Sequence, residues 1–275
     1  MGDGSVRSGL AVPDIRRQII RDLSRAPDQS LFALDYDGTL APIASRPEYG
    51  RPAGGVLEVL TALASHGATI ALVTGREAAA LLRVSGLAKV PGLRVYALYG
   101  AQRWYDGKTD SEPFAHEWDE VRSFLSTAVR PSTGLWVEDK GLSLVVHARG
   151  VEDPSVALAE VRPAIEAFVR PLGLDVHSGR AVVEIRLSEF DKGRVLSDLV
   201  GDTGASAVLV AGDDVGDLAA FRAARSFRSE QRAMWTVGIA SDEAPEVSQS
   251  ADFSVGSPDE LVSLLAEIAR ATARP

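Results

Sequence analysis

Short apolar runs that each stop at a polar or glycine-bearing turn constrain this 275-residue chain more than any other feature. They lie at residues 31–34, 69–73, 95–98, 207–211 and 236–240. Runs of this length without polar alternation suit strands covered on both faces. Between most of them, residues 16–23, 55–64, 193–200 and 259–269 carry apolar side chains at three- and four-residue intervals, the period of a helix. The alternation predicts an α/β fold, a Rossmann-like parallel sheet covered by helices. The middle of the chain reads differently. Residues 135–138 with 143–147, and 174–177 with 182–186, pair as hairpins around a helical stretch at 154–169. An inserted α+β domain is therefore expected at 106–187, interrupting a core built from 1–105 and 188–275.

The ends of the runs carry the chemistry. The first breaks into Leu34-Asp35-Tyr36-Asp37-Gly38-Thr39-Leu40. Open α/β sheets place ligands at the carboxyl ends of their strands, and residues i and i+2 of an extended chain share a face. Asp35 and Asp37 thus converge on one small volume, where a divalent cation would relieve their repulsion. One carboxylate can attack phosphorus while the other moves a proton. The second run leads into Thr74-Gly75-Arg76, a hydroxyl followed by backbone N–H groups at a helix start, suited to a phosphate oxygen. Lys192, in Asp191-Lys192-Gly193, can neutralise a phosphate and the nucleophile together. A later run ends in Gly212-Asp213-Asp214-Val215-Gly216-Asp217. Hard oxygen ligands with no His or Cys select Mg²⁺. Asp217 has two open roles, capping the helix that follows or touching the metal. Taken singly, an Asp-x-Asp pair is a turn device, Thr74 a helix N-cap and Lys192 a surface cation. As a set they point to phosphoryl transfer.

Composition removes other classes. The chain has no cysteine, which excludes disulfides and thiolate chemistry, and its four histidines lack metal-ligand spacing. A formal net charge of −9 disfavours nucleic acid, whose phosphates are held by clustered Lys and Arg. No run approaches the roughly 20 apolar residues that span a bilayer, and the first residues lack a signal-peptide pattern. A cytoplasmic protein without a membrane partner is expected.

The order Asp-x-Asp-Gly-Thr, Thr-Gly-Arg, lone Lys, Gly-Asp-Asp resembles the haloacid dehalogenase superfamily of aspartate-nucleophile phosphatases. The resemblance implies a haloacid dehalogenase-type core, with Asp35 as nucleophile and Asp37 as general acid and base. Thr74 and Lys192 would hold phosphoryl oxygens, beside Gly75 and Arg76 of the same loop. Mg²⁺ would be bound by Asp35, the backbone carbonyl of Asp37 and Asp213, with Asp214 orienting water around the metal.

The insert sits where this superfamily places a substrate-selecting cap. Val137-Glu138-Asp139-Lys140-Gly141, the downstream His147-Ala148-Arg149 and Glu184-Ile185 resemble the cap of trehalose-6-phosphate phosphatases. By that pattern Glu138, Lys140, Arg149 and Glu184 contact the sugar or its phosphate, and the substrate is trehalose 6-phosphate. Without the resemblance, Glu138 and Lys140 read as a solvated ion pair on one strand face. A monomer that pairs functionally with a trehalose-phosphate synthase is implied, with cap hinges near 105–107 and 187–191. Gly216, Leu218 and Leu187 depart from the family's Thr, Glu and Pro. They leave open another sugar or pseudo-disaccharide phosphate, alongside a phosphomannomutase-like enzyme and an idle sensing or docking module.

Overall fold

The computed structural model of the chain describes residues 12–44, 46–111, 117–130, 133–141, 143–179, 181–187, 190–241 and 244–273. The core opens with α1 (Val12–Ser24), β1 (Ser30–Leu34), α2 (Val56–Ser65), β2 (Thr69–Val73), α3 (Ala78–Ser85), β3 (Arg94–Ala97) and a hairpin, β4 (Gln102–Tyr105) and β5 (Lys108–Ser111). The insert follows, with α4 (Glu117–Ala128), β6 (Trp136–Asp139), β7 (Ser143–His147), α5 (Pro154–Val169), β8 (Leu174–Gly179) and β9 (Val182–Leu187). The core then resumes with α6 (Lys192–Thr203), β10 (Ala207–Gly212), α7 (Asp217–Phe227), β11 (Ala233–Ile239), α8 (Pro245–Ser250), β12 (Phe253–Val255) and α9 (Pro258–Thr272).

The larger sheet runs β12-β11-β10-β1-β2-β3-β4-β5. It is parallel from β12 to β3 and turns antiparallel at β4 and β5. Side chains of β1 alternate between two apolar clusters. Phe32 and Leu34 pack with Ile19, Leu60 and Leu264 from α1, α2 and α9. Leu31 and Ala33 pack on the opposite face with Leu196, Leu199 and Phe221 from α6 and α7. Helices on both faces demand an unbroken apolar strand, and each such side chain contributes about 1.5–3 kcal/mol by burial. Asp191 caps α6 by accepting the N–H of Arg194 at 2.7 Å, which fixes where that helix starts and so where Lys192 stands.

The insert is a four-stranded antiparallel sheet, β6-β7-β9-β8. Leu144, Val146, Val183 and Ile185 face α4 and α5, against Trp118, Leu125 and Ile165. Strand alternation sends Ser143, Glu184 and Arg186 to the other face, with Glu138 beside them across the ladder. The expected boundary at 106 falls in the β4–β5 turn, and β5 still belongs to the core sheet. Ser188 and Glu189, in the expected return hinge, lie outside the described residues. No helix among the described residues is long and apolar enough to cross a membrane.

Candidate active site

Asp35, Thr74 and Asp213 follow β1, β2 and β10, three neighbours in the sheet, at their shared carboxyl end. The N–H of Asp35 donates to the carbonyl of Ala211 at 3.0 Å, and that of Thr74 to the carbonyl of Tyr96 at 2.9 Å. Carboxylate oxygens of Asp35, Asp213 and Asp217 lie within 4.8 Å of one another, all buried. Lys192 Nζ reaches Asp35 Oδ1 at 2.8 Å and Asp217 Oδ1 at 2.7 Å. Thr39 donates its hydroxyl to Asp213 Oδ1 at 3.0 Å. Gly38, at φ +79°, lets this happen, because a Cβ there would stand 1.9 Å from Asp213 Oδ2.

Asp217 opens α7 from within the buried carboxylate cluster. Its Oδ2 accepts the N–H groups of Asp213 and Asp214 at 3.2 and 3.1 Å, while Oδ1 takes Lys192. Asp214, expected to orient water around the metal, keeps its carboxylate outside the buried cluster. Its N–H points inward to Asp217, and its exposed carboxylate accepts the neighbouring Val215 N–H at 2.6 Å. Asp217 therefore stands in the buried cluster in its place.

Three buried carboxylates face one ammonium. Burial pushes the Asp35 carboxyl well above the ordinary range, and Asp217 and Asp213 add to the shift against the pull of Lys192. Asp213 is pushed up to about 7 by burial and by Asp217. For Lys192, burial alone would lower the pKa, but Asp217 and Asp35 outweigh it and raise it well above the usual lysine value. The uncompensated negative charge, on hard oxygen donors only, fits a divalent cation such as Mg²⁺. The contacts to Lys192, Thr39 and the backbone occupy both oxygens of Asp217 and leave one oxygen each of Asp35 and Asp213.

Asp37 and Arg76 meet each other. The guanidinium donates from Nε and Nη2 to both Asp37 oxygens at 2.5 Å, a bidentate pair. Thr74 Oγ1 accepts the N–H of Arg76 at 3.1 Å, so the hydroxyl also braces its own loop. In this conformation Arg76 holds Asp37 as well as lying in the expected phosphate loop.

On the cap face, Glu184 is the centre. Its Oε1 takes Lys140 Nζ at 3.3 Å and the Ser143 hydroxyl at 2.9 Å, and its Oε2 takes the Tyr99 hydroxyl at 2.7 Å. Burial would raise this carboxyl, but Lys140, the two hydroxyls and Arg186 hold it below the usual range. Glu138 bonds His147 Nε2 at 2.8 Å, a contact that lowers its pKa. The ion pair between Glu138 and Lys140 suggested by their shared strand face is replaced by these cross-strand partners. Arg149 is exposed in the turn after β7, near enough for its charge to act on Glu138. Tyr99 was not singled out as a site residue in the sequence. Its signal there is the segment Tyr99-Gly100-Ala101-Gln102-Arg103-Trp104, which closes the third apolar run and resembles the family's pattern before the cap.

A family model described as trehalose-phosphatase matches residues 33–259. A trehalose-phosphate phosphatase of Mycobacterium leprae is 30% identical over 245 residues, covering 82% of this chain and 56% of its own length. A trehalose-phosphatase of Zygosaccharomyces rouxii is 28% identical over 200 residues, 68% of this chain. The chain spans only 22% of that relative's length. In fold, it superposes on the C-terminal domain of a C. albicans trehalose-6-phosphate phosphatase with a TM-score of 0.79 at 20% identity, over 93% of this chain and 96% of that one. A haloacid dehalogenase-like hydrolase from Bacteroides thetaiotaomicron gives 0.59 at 18% identity, over 86% and 98%. The architecture is thus the haloacid dehalogenase type. Since the matched region takes in every strand-end motif from Asp35 to Asp217 and the whole cap between them, the chain belongs to the trehalose-phosphatase family.

Proposed function

We propose that the chain is a Mg²⁺-dependent phosphatase that hydrolyses trehalose 6-phosphate to trehalose and inorganic phosphate through an aspartyl-phosphate. The observation that carries this reading is the buried cluster of Asp35, Asp213 and Asp217 around Lys192, at strand ends beneath a cap. An oxygen of Asp35 attacks phosphorus, and the bond from phosphorus to the sugar oxygen breaks. Asp37 gives that oxygen its proton, for which it must first swing away from Arg76. Water then attacks the phosphorus of the aspartyl-phosphate and yields its proton to Asp37. The bond to Asp35 breaks, releasing phosphate and restoring both carboxyl groups. Lys192 holds Asp35 in place and balances part of the charge on the phosphoryl oxygens.

Asp35 and Asp213, with the Asp37 carbonyl, would hold Mg²⁺, which when bound would offset the negative charge of the phosphoryl group. On the cap, Glu138, Lys140, Arg149 and Glu184 would read the sugar, because paired carboxylates and cations reject analogues that lack the matching hydroxyls. The substrate must come from a reaction that joins two sugars while retaining a phosphate, as a trehalose-phosphate synthase does. Replacing Asp35 with Asn tests the chemistry. D35N is expected to lose Mg²⁺-dependent phosphate release by at least about a thousandfold, since the nucleophile itself is gone. Residual release within about tenfold of the parent protein refutes a covalent role for Asp35.

A further inference from the structure

The turn after β3 holds left-handed backbone at consecutive residues: Leu98, Tyr99 and Gly100 have φ of 48°, 59° and 104°. Side chains other than glycine avoid this region unless their surroundings impose it. Here they do. The N–H of Leu98 donates to the carbonyl of Arg76 at 3.1 Å, and that of Tyr99 to the carbonyl of Thr74 at 3.0 Å. The turn is thereby tied to the expected phosphate loop. Leu98 and Ala101 also pack with Phe190 and Leu187, on the chain returning from the cap.

The strained turn sends the Tyr99 side chain across the junction. Its hydroxyl passes so close to Gly75 that a Cβ there would stand 2.8 Å away, and it donates to Glu184 Oε2 at 2.7 Å. The Arg186 guanidinium lies 4.0 Å above its ring. Glu184 is consequently fixed from both bodies at once, by Lys140 and Ser143 of the cap and by Tyr99 of the core. Arg186 Nη2 rests against His177 Nδ1 at 3.1 Å, while its buried Nε has no acceptor among the described residues. The closed junction therefore keeps an unused donor near the carboxylate, so opening it gives back part of what it costs.

We propose that Tyr99 is a positioning residue that couples the phosphate loop to sugar recognition. Its hydroxyl sets Glu184 in the orientation that accepts a sugar hydroxyl only when the cap is closed on the core. Opening the cleft breaks this hydrogen bond and lifts Arg186 from the ring, and closure over the sugar restores both. The identity of the sugar rests on the function proposed above.

Tyr99→Phe tests the coupling, since it keeps the ring and removes one charge-assisted hydrogen bond. For the full chain with Mg²⁺, KM for trehalose 6-phosphate is expected to rise on the order of tenfold to a hundredfold. Turnover of p-nitrophenyl phosphate stays within about twofold, and amide exchange quickens at residues 98–101 and 182–187. Equal losses on both substrates, or unchanged KM with unchanged exchange, overturn the proposal. If the parent protein cleaves the aryl phosphate but not trehalose 6-phosphate, the substrate reading fails and exchange alone decides. Faster exchange in Y99F then supports the coupling, and unchanged exchange refutes it. Should Y99F not fold, E184Q, which neutralises the acceptor, is read by the same exchange criterion.

Discussion

Lys192→Met measures what holds the carboxylate cluster together. Lys192 sits 2.8 Å from Asp35 and 2.7 Å from Asp217, with side-chain exposures of 6%, 7% and 3%. Methionine matches the stem in length and helix preference, so neither a cavity nor a helix penalty enters. What remains is the loss of one partner from a buried charge cluster, which costs about 3–5 kcal/mol. In melting temperature this is a fall of roughly 6–20 °C for a chain of this size. The carboxylates can shed part of the penalty by binding protons. Without Lys192 their folded pKa values rise further above the unfolded ones, so stability falls as pH climbs through that range. The loss should be larger at pH 8 than at pH 5.5. Urea unfolding in EDTA at the two pH values reads it directly, and K192M/D217N should recover part of the loss. A K192M protein within about 1 kcal/mol of the parent at pH 8, with no pH dependence, would refute the view that the ammonium organises the site.

Glu184→Ala should raise KM for trehalose 6-phosphate at least about tenfold while sparing aryl phosphate hydrolysis, because a charged group reading a hydroxyl contributes about 1.5–3 kcal/mol. Equal losses on both substrates would count against a sugar-reading role. Glu184 also sets an acid limit. Despite its burial, Lys140 and its hydroxyl partners hold its folded pKa below the ordinary 4.5. Its contribution is therefore present above pH 4.5 and fades as the pH falls through the folded value. The difference in melting temperature between the parent and E184Q should stay level from pH 7 to about 5 and shrink below about 4.5. A difference that widens in acid would contradict the assignment.

The core strands and the grouping of polar residues at their ends were readable because a sheet covered on both faces needs unbroken apolar runs, and ligands gather where those runs stop. Other elements lack that signature. β5 is exposed at every residue and β12 is only three residues long, so neither stands out as an apolar run. Choosing between Asp214 and Asp217 needs the turn geometry, since adjacent carboxylates differ only in which way the backbone aims them. Glu138 and Lys140 share a strand face, yet each finds its partner on another strand: His147 lies diagonally across from Glu138 on β7, and Glu184 lies one strand further on β9. Tyr99 gains its place from a left-handed turn, and nothing in residue type announces positive φ at Leu98 and Tyr99.

The most direct test is Mg²⁺-dependent phosphate release by the purified protein from trehalose 6-phosphate, glucose 6-phosphate, sucrose 6-phosphate and mannose 6-phosphate. Fast release confined to trehalose 6-phosphate is the expected result. Comparable rates on all four, or no release from any while an aryl phosphate is still cleaved, would contradict a cap that reads trehalose and leave only the core chemistry standing.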